Sequence, residues 1–263
     1  MTKIAYANGY ADQLNAESLR ALIENEILAI RIPNFMTEIE RSLALKNIRY
    51  YTEKSTYLWS RDFSVIGTSV GEAHENKEKE DEYFSNAQEV NRLLQSIVFP
   101  FGSPMARVAK QILDAWSPGI KIASKDGRPF LAEIVRHFRR GGKANPHIDQ
   151  TKTPLLGHLG LKKRLGCNVY IEMPTEGGSI QFWNRRFSDV EYEAVKTKGG
   201  DYGVDRELLG EPSLSIRPRA PEVVLFDASL PHAVEEIRGE GDRIVNGGFF
   251  AFADYDSPLV QFS

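Results

Sequence analysis

Two histidines and one aspartate place the strongest constraint on how this chain can fold. His147 and Asp149 lie in the segment Asn145–Gln150, and His232 follows 85 residues later. Side chains alternate between the two faces of an extended strand, so positions 147 and 149 point the same way. The long separation implies that several strands intervene before the chain returns. The three residues predict a triangular face of ligands with an open opposite face, an arrangement that suits non-haem Fe(II).

The sequence around this motif has the character of strands. A strand-like run that starts at Ile134 ends at the glycine pair Gly141-Gly142, and Glu222–Asp227 leads into His232. Arg243 lies 11 residues after His232 and opens another β-rich run. A histidine and an aspartate two positions apart are common by chance, but this order of neighbours is more specific.

The four residues resemble the signature of the Fe(II)/2-oxoglutarate-dependent dioxygenase superfamily. In that signature a His-x-Asp…His motif is followed, about ten residues later, by an Arg or Lys. The resemblance implies an enzyme in which His147, Asp149 and His232 are catalytic and bind Fe(2+). It also implies 2-oxoglutarate as cosubstrate and O2 as oxidant. The glycine pair Gly177-Gly178, between two strand-like runs, falls in the order expected of the family.

The same resemblance implies which residues bind the cosubstrate. A planar guanidinium forms two parallel hydrogen bonds to a carboxylate, so Arg243 suits the distal carboxylate of 2-oxoglutarate. Arg238 is a competitor, although its glycine-rich surroundings indicate an exposed hairpin turn. Asn168 and Tyr170 share one face of a predicted strand that faces the cosubstrate in this family, and they join Arg243 as candidate cofactor-binding residues.

A narrower resemblance indicates the class of substrate. Ile30–Pro33, Tyr83–Ser85 and Glu176–Gly178 are similar to segments of small oxygenases that act on free-standing metabolites. That group includes alkaloid halogenases of cyanobacteria and hydroxylases of free or N-acylated amino acids. The halogenases have Gly or Ala where the carboxylate ligand would be, whereas this chain has Asp149. We therefore expect hydroxylation of an unactivated C–H bond in an amino acid or amino-acid-derived compound.

Two other functions remain open at this point, together with other oxidative reactions of the same iron centre. The first is a protein or peptide hydroxylase of the prolyl-hydroxylase type, and the second is a non-catalytic jelly-roll protein that only binds metal. Arg243 argues against the second, because a passive metal site does not need a carboxylate clamp at that offset. Desaturation, ring closure and epimerisation use the same iron centre, so the sequence does not separate them from hydroxylation.

Composition limits the partners of the chain. It has 263 residues, of which 41% are hydrophobic and 26% charged, typical of a globular protein with a sizeable core. The net charge of −3 argues against nucleic-acid binding, which needs a surplus of Lys and Arg. No apolar run has the length of a membrane span, and no signal core follows Met1. The single cysteine, Cys167, is compatible with a cytoplasmic location, while the oligomeric state stays unknown.

Hydrophobic periodicity predicts an α+β fold in one domain, residues 1–263. Residues 1–127 should be mainly helical, with four helices and one short strand. Residues 128–263 should form a double-stranded β-helix, of the jelly-roll or cupin-like kind, with the helices packed on one sheet. Predicted helices are Ala16–Leu28, Met36–Ile48, Asn86–Val98 and Met105–Trp116; predicted strands are Ile27–Pro33, Phe130–Phe138, Cys167–Met173, Ser179–Trp183, Ser213–Arg217, Glu222–Phe226 and Arg243–Phe252.

Several polar segments remain. The charged stretch Glu72–Glu82 is expected to face water. Asn184–Pro212 is polar, contains glycines and lies between the two halves of the metal motif, which predicts a lid over the iron. Trp183, Arg136 and His158 are the candidate substrate-binding residues.

Overall fold

Two β-sheets with helices packed around them make up the chain. The computed structural model describes residues 9–53, 63–73, 76–197 and 203–263. The helices are α1 Ala16–Glu24, α2 Glu38–Thr52, α3 Val70–Ala73, α4 Lys77–Leu93, α5 Pro104–Ala115, α6 Asp189–Val195 and α7 Arg206–Leu209. The strands are β1 Tyr10–Ala11, β2 Ala29–Ile32, β3 Phe63–Ile66, β4 Ile120–Ile122, β5 Ser124–Lys125, β6 Arg128–Pro129, β7 Ile134–Phe138, β8 Ala144–His147, β9 Lys163–Glu172, β10 Ile180–Phe182, β11 Leu214–Ile216, β12 Glu222–Asp227, β13 His232–Val234, β14 Arg243–Phe252 and β15 Leu259–Phe262. None of the helices in these ranges is both long and apolar enough to span a membrane.

From β7 to β14 the chain passes back and forth between the two sheets. The larger sheet has the order β1-β2-β12-β9-β14-β15-β4, with β7 and β3 attached beside β14. The smaller sheet has the order β11-β10-β13-β8. Strands β7, β9, β12 and β14 therefore belong to the larger sheet, and β8, β10, β11 and β13 to the smaller one. The predicted combination of antiparallel sheets and helices is confirmed.

Strand β9 shows how the larger sheet separates two hydrophobic cores. Leu165, Cys167 and Val169 face one way and pack against α1, α2 and α5, where Leu22 and Val108 are fully buried. The residues between them face the smaller sheet. Because successive side chains on a strand point to opposite faces, one strand serves both the helical core and the functional interior. Cys167 is buried among the apolar side chains of this core.

Polar side chains cap the first turns of α1 and α2. The side chains of Asn15 and Thr37 accept backbone N–H groups of α1 and α2. The third predicted helix is the second half of the longer α4, which continues as a π-helical turn over Leu94–Val98. The region of residues 1–127 is less purely helical than predicted, since β1 to β4 extend the larger sheet.

The prediction that Glu72–Glu82 faces water is wrong at one end of the stretch. The carboxylate of Glu72 accepts hydrogen bonds from the backbone N–H and the hydroxyl of Ser69, at 3.0 and 3.2 Å. Glu72 is buried in α3, whereas Lys77 and the exposed acidic residues after it form the first turns of α4. A run of charges in sequence therefore divides into a surface part and an interior part.

Candidate metal centre

The two histidines of the motif lie opposite each other in the smaller sheet. His147 is the last residue of β8, His232 is the first residue of β13, and they are register partners in the antiparallel pairing. Asp149 follows two residues after His147, and its backbone N–H donates to the carbonyl of Ala228 at 2.8 Å. The ligand-bearing segments are thus anchored to each other by backbone contacts on both sides of the site.

Backbone carbonyls orient both imidazole rings. The Nδ1 atom of His147 lies 2.7 Å from the carbonyl oxygen of Asn145, and Nδ1 of His232 lies 3.0 Å from that of Leu230. A carbonyl only accepts hydrogen bonds, so each Nδ1 carries a proton, and in the neutral ring Nε2 is then the atom with a lone pair for a metal. Nε2 of His232 lies 3.5 Å from Oδ2 of Asp149.

The donor set fits a divalent transition metal. One ligand atom from each of His147, Asp149 and His232 lies within 4.8 Å of the others. Two imidazoles and one carboxylate on a single face form the 2-His-1-carboxylate pattern of non-haem Fe(II) sites. The second hydrogen bond of each ring, to a backbone carbonyl, is the outer-sphere feature that such ligands need.

Electrostatics keep the ligands in their binding forms. Burial, helped by the nearby His147, lowers the pKa of His232 to about 4, so the ring is neutral near pH 7. Burial alone would raise the pKa of Asp149. The positive guanidinium of Arg164, with His232 and His147, outweighs burial, and the pKa of Asp149 is lowered. Asp149 is therefore an ionised carboxylate over the physiological range.

Arg243 lies at the start of β14 with its side chain buried. It is 2% exposed, and its Nη2 atom donates to the hydroxyl of Tyr170 at 3.2 Å. Its Nε atom is buried and has no hydrogen-bond partner within the described ranges. Burial lowers the pKa of Arg243, although the guanidinium stays charged. Arg238, the competing candidate, is exposed and pairs with Glu235 at 3.0 Å.

One cavity of about 370 Å³ connects the metal ligands to Arg243. Among the residues that line it are His147, Asp149, His232, Arg243, Asn168 and Arg136, so the fold brings six of the predicted site residues together. Tyr170 lies directly behind Arg243 and contacts it.

Trp183 and His158 do not line this cavity. The indole Nε1 of Trp183 donates to the carbonyl of Gly210 at 2.9 Å, and the guanidinium of Arg206 lies over the buried ring. His158 is exposed in a 3-10 turn and lies 2.9 Å from the carbonyl of Ser124. Their role in substrate binding stays a prediction, and this geometry does not support it.

Three charged residues of the cavity were missed in the sequence. Glu72 enters from α3, Arg164 enters from β9, and the exposed Lys143 directly precedes β8. The alternation of side chains could have found Arg164, because positions 164, 166, 168 and 170 share one face of β9. Nothing in the local sequence distinguishes Glu72 from the exposed acidic residues that follow it.

The predicted lid lies against the strand that carries His147. The backbone N–H of Val204 donates to the carbonyl of Pro146 at 2.6 Å, and the hydroxyl of Tyr192 lies 3.4 Å from the backbone nitrogen of Ile148. Gly203 has a φ of 93°, and a Cβ there would collide with the Pro146 carbonyl. Residues 198–202, which include the glycine pair expected to give the lid its mobility, lie outside the described residues.

A family comparison decides the kinship of the chain. The model of the family described as carrier-protein-independent halogenase WelO5 matches residues 11–263. The chain belongs to this family. The predicted kinship with the Fe(II)/2-oxoglutarate oxygenase superfamily is confirmed, and so is the prediction that the chain is an enzyme of that kind.

Solved structures share the fold of this WelO5-family chain. An N-substituted L-amino acid dioxygenase from Burkholderia ambifaria AMMD superposes with a TM-score of 0.62 at 18% identity, covering 94% of this chain and 91% of that one. The same dioxygenase in complex with alpha-KG gives 0.61 at 19% identity, with the same coverage. A 2OG-Fe(II) oxygenase family oxidoreductase from Burkholderia pseudomallei gives 0.51 at 11% identity, covering 96% and 97%. No curated protein sequence matches the chain.

Proposed function

We propose that this chain is an Fe(II)- and 2-oxoglutarate-dependent hydroxylase of a small metabolite, an amino acid or a compound derived from one. The observation that carries the proposal is Asp149, which completes a three-residue metal site with His147 and His232. A carboxylate in that place fills the ligand position that a halogenase of this group leaves open. The family name therefore indicates halogenation, whereas the ligand set indicates hydroxylation. We give the ligand set more weight, because these residues would bind the iron at which the reaction takes place.

The path of the strands supports a double-stranded β-helix as the scaffold. Strands β7 to β14 pass repeatedly between two sheets whose facing sides share one hydrophobic core, with only the consecutive β10 and β11 in the same sheet. We propose that residues 1–263 form a single oxygenase domain around this core, with Asn184–Pro212 as the cover of its open end.

In this proposal each predicted residue has a defined task. His147, Asp149 and His232 would hold Fe(II), and the guanidinium of Arg243 would bind the distal carboxylate of 2-oxoglutarate. Asn168 lines the same cavity, and Tyr170 holds Arg243 in position through its hydroxyl. With O2, bound iron and 2-oxoglutarate would supply an oxidant strong enough to attack an unactivated C–H bond. Succinate and CO2 would be the by-products.

The protein's own contribution is position and exclusion of water. Buried apolar side chains, Ile180, Phe226, Val245 and Phe249, line the cavity around the metal ligands. They keep competing water away from the reacting centre and strengthen the polar contacts within it. The two carbonyl-bound histidines fix the metal relative to this wall, so a substrate held against the wall meets the iron in one orientation.

Halogenation is the second candidate, because the family whose model matches is described by that activity. Asp149 argues against it, since chloride would need the place that the carboxylate occupies. One protein of similar fold is an N-substituted L-amino acid dioxygenase, which makes free and N-substituted amino acids the first compounds to test.

The test is anaerobic reconstitution with Fe(II), followed by a screen for succinate release over a library of amino acids and their N-substituted derivatives. Products from each hit are analysed by mass spectrometry in buffer with chloride and in buffer without it. We expect products that gain one oxygen atom in both buffers. A chlorinated product that depends on chloride would replace hydroxylation with halogenation, and no succinate release with any of these compounds would refute the proposed substrate class.

A further inference from the structure

The cavity carries more positive than negative charge. Four cationic side chains and two acidic ones line it: Arg136, Lys143, Arg164 and Arg243, with Glu72 and Asp149. The two positive charges of Fe(II) and the two negative charges of 2-oxoglutarate cancel when both are bound. Lys143 is exposed to solvent, so the interior of the loaded cavity keeps a surplus of one positive charge. Charges removed from water are costly unless they are paired, so this surplus favours a negatively charged ligand.

Arg164 is a buried cation beside the metal ligand Asp149, and one of its hydrogen-bond donors is unused. It is 5% exposed, and its guanidinium stacks on Phe249 at 3.9 Å from the ring centroid. Its Nη1 atom donates to the carbonyl of Gln150 at 3.3 Å and lies 3.9 Å from Oδ1 of Asp149. Its Nε atom is buried and has no hydrogen-bond partner in the described part of the chain.

Arg136 reaches the cavity across a neighbouring strand. It is half-buried on β7, and its Nη1 atom lies over Gly247 of β14, 3.0 Å from where a Cβ of residue 247 would be. The Oδ1 atom of Asn168, on β9, lies 2.8 Å from the same point. A glycine at position 247 thus lets a guanidinium from one strand and an amide from another meet inside the cavity.

Arg164 is distinct from the proposed cosubstrate clamp, and Arg136 lies between the two, opposite Val245 in the β7–β14 pairing. Arg164 and Tyr170, the partner of Arg243, are six residues apart on the same face of β9, which corresponds to roughly 20 Å along the strand. Arg164 therefore lies beside the metal ligands at one end of the cavity, and Arg243 lies at the other end. A cosubstrate bound at Arg243 leaves the donors of Arg164 for another ligand.

We propose that the substrate carries a carboxylate, and that Arg164 and Arg136 bind it. This inference rests on the proposed function, because it takes the bound molecule to be the substrate of the hydroxylase. It narrows the class of substrates to anionic molecules. Two guanidinium groups offer planar pairs of N–H donors that match a carboxylate, whereas a neutral amide matches them poorly.

The test measures binding to protein loaded with Mn(II) and saturating 2-oxoglutarate, without oxygen. The probes are small carboxylic acids, including N-acetyl-L-amino acids, each paired with its primary amide, and calorimetry gives both dissociation constants. A parallel assay confirms that 2-oxoglutarate is not displaced. We expect acids to bind at least about tenfold more tightly than their amides. Equal binding of acids and amides, or no binding of any acid at millimolar concentration, would overturn the proposal.

Variants test whether Arg136 and Arg164 cause the preference for acids over amides. Arg136→Gln and Arg164→Gln should each weaken acid binding about tenfold or more and change amide binding little, while Arg164→Lys should restore part of the loss. Arg140→Gln, which removes an exposed charge outside the cavity, is the matched control. A merely structural role would weaken acids and amides alike. If Arg164→Gln does not fold, the test rests on Arg136→Gln, because Arg136 is only half-buried. A native preference for acids over amides in Arg136→Gln would count against the proposal.

The same measurements separate this inference from the proposed function. Acid-selective binding that depends on both arginines, without succinate release from any bound acid, would support the anionic site and reject the hydroxylase. Succinate release and oxygenated product from a neutral compound only would support the hydroxylase and reject the anionic site.

Discussion

His147 and His232 face each other across the antiparallel pair β8–β13, with 4.3 Å between their ring centroids. Because the pairing is set by backbone hydrogen bonds, the two ligands are placed by the sheet rather than by the metal. Asp149 then needs only two further residues of extended chain to reach the same point. A binding face of this kind is largely pre-formed before any ion arrives.

Loss of one ligand should therefore abolish metal binding without unfolding the protein. We expect His232→Ala to weaken binding of Fe(II) or Mn(II) by more than about a hundredfold, since loss of an outer-sphere partner alone costs ten- to a hundredfold. Anaerobic calorimetry and circular dichroism measure affinity and folding. His158→Ala, which changes an exposed histidine outside the cavity, should bind metal as the native protein does. Full metal occupancy and native turnover in His232→Ala would refute the assignment.

Removal of the buried guanidinium should affect the cosubstrate rather than the metal. Charge-assisted hydrogen bonds contribute about 1.5–3 kcal/mol, so Arg243→Leu should weaken 2-oxoglutarate binding on the order of ten- to a hundredfold. Arg238→Leu, at the exposed competing position, is the control and should leave that affinity unchanged. The dissociation constants of metal and 2-oxoglutarate are measured separately. An effect of Arg238→Leu alone would move the clamp to that residue.

Replacement of the carboxylate ligand tests why this chain should hydroxylate. Asp149→Gly should lose native hydroxylation and bind iron more weakly, because one of three ligands is gone. The vacated position becomes accessible to chloride, and the dependence of metal affinity on chloride concentration measures its occupation. Asp149→Glu keeps the charge and serves as the comparison. If Asp149→Gly hydroxylates at the native rate, the carboxylate is not a required ligand.

Two glycines of the predicted lid form a matched pair for testing it. Gly203 and Gly210 both have positive φ, 93° and 68°, so alanine strains the backbone at either position. A Cβ at 203 would meet the Pro146 carbonyl, whereas nothing lies within 4 Å of a Cβ at 210. Gly203→Ala should thus lower the ratio of oxidised substrate to succinate more than Gly210→Ala does. Equal coupling ratios in the two variants would mean that this contact does not control the cover.

Glu133 should make stability depend on pH. Its carboxyl is fully buried and hydrogen-bonded to Ser103 and Asn246, at 2.6 and 2.8 Å, and burial raises its pKa despite these two contacts. The folded state then binds a proton more tightly than the unfolded state, so this stabilisation is present below the unfolded pKa and is lost as pH rises through the folded value.

Glu133→Gln keeps the acceptor oxygen and removes the titration. The melting temperature of Glu133→Gln relative to the native protein should therefore increase between pH 5 and pH 8. Glu78→Gln, on the exposed face of α4, should show no such trend. A difference in melting temperature that is constant with pH would mean that Glu133 does not titrate in this range.

The metal ligands could be predicted from the sequence, but the strands that carry them could not. β8 and β13 have only four and three residues, and Pro146 and Asn145 weaken the hydrophobic alternation of β8. Their pairing depends on partners far along the chain, which local propensity does not contain. By contrast, β14 is a long buried run, and its bounds agree with the prediction.

The charged residues that line the cavity show the same limit of prediction from the sequence. Arg243 could be identified by its offset from His232, whereas Arg136 enters the cavity only because Gly247, on another strand, leaves space for it. Glu72 has exposed acidic neighbours in sequence and a buried position in space. Local pattern indicates which residues carry charge, and only the packing of distant strands decides which of those charges are removed from water.

The hydrogen bonds that join Val204 and Tyr192 to the backbone beside His147 have a consequence for metal retention. The proposed cover and the ligand strand share these contacts, so stabilising one would stabilise the other, and the coupling free energy would act equally in both directions. A bound substrate that held the proposed cover in place would therefore also slow escape of the ion. Turnover and release of product would then be the interval in which the enzyme is most exposed to demetallation.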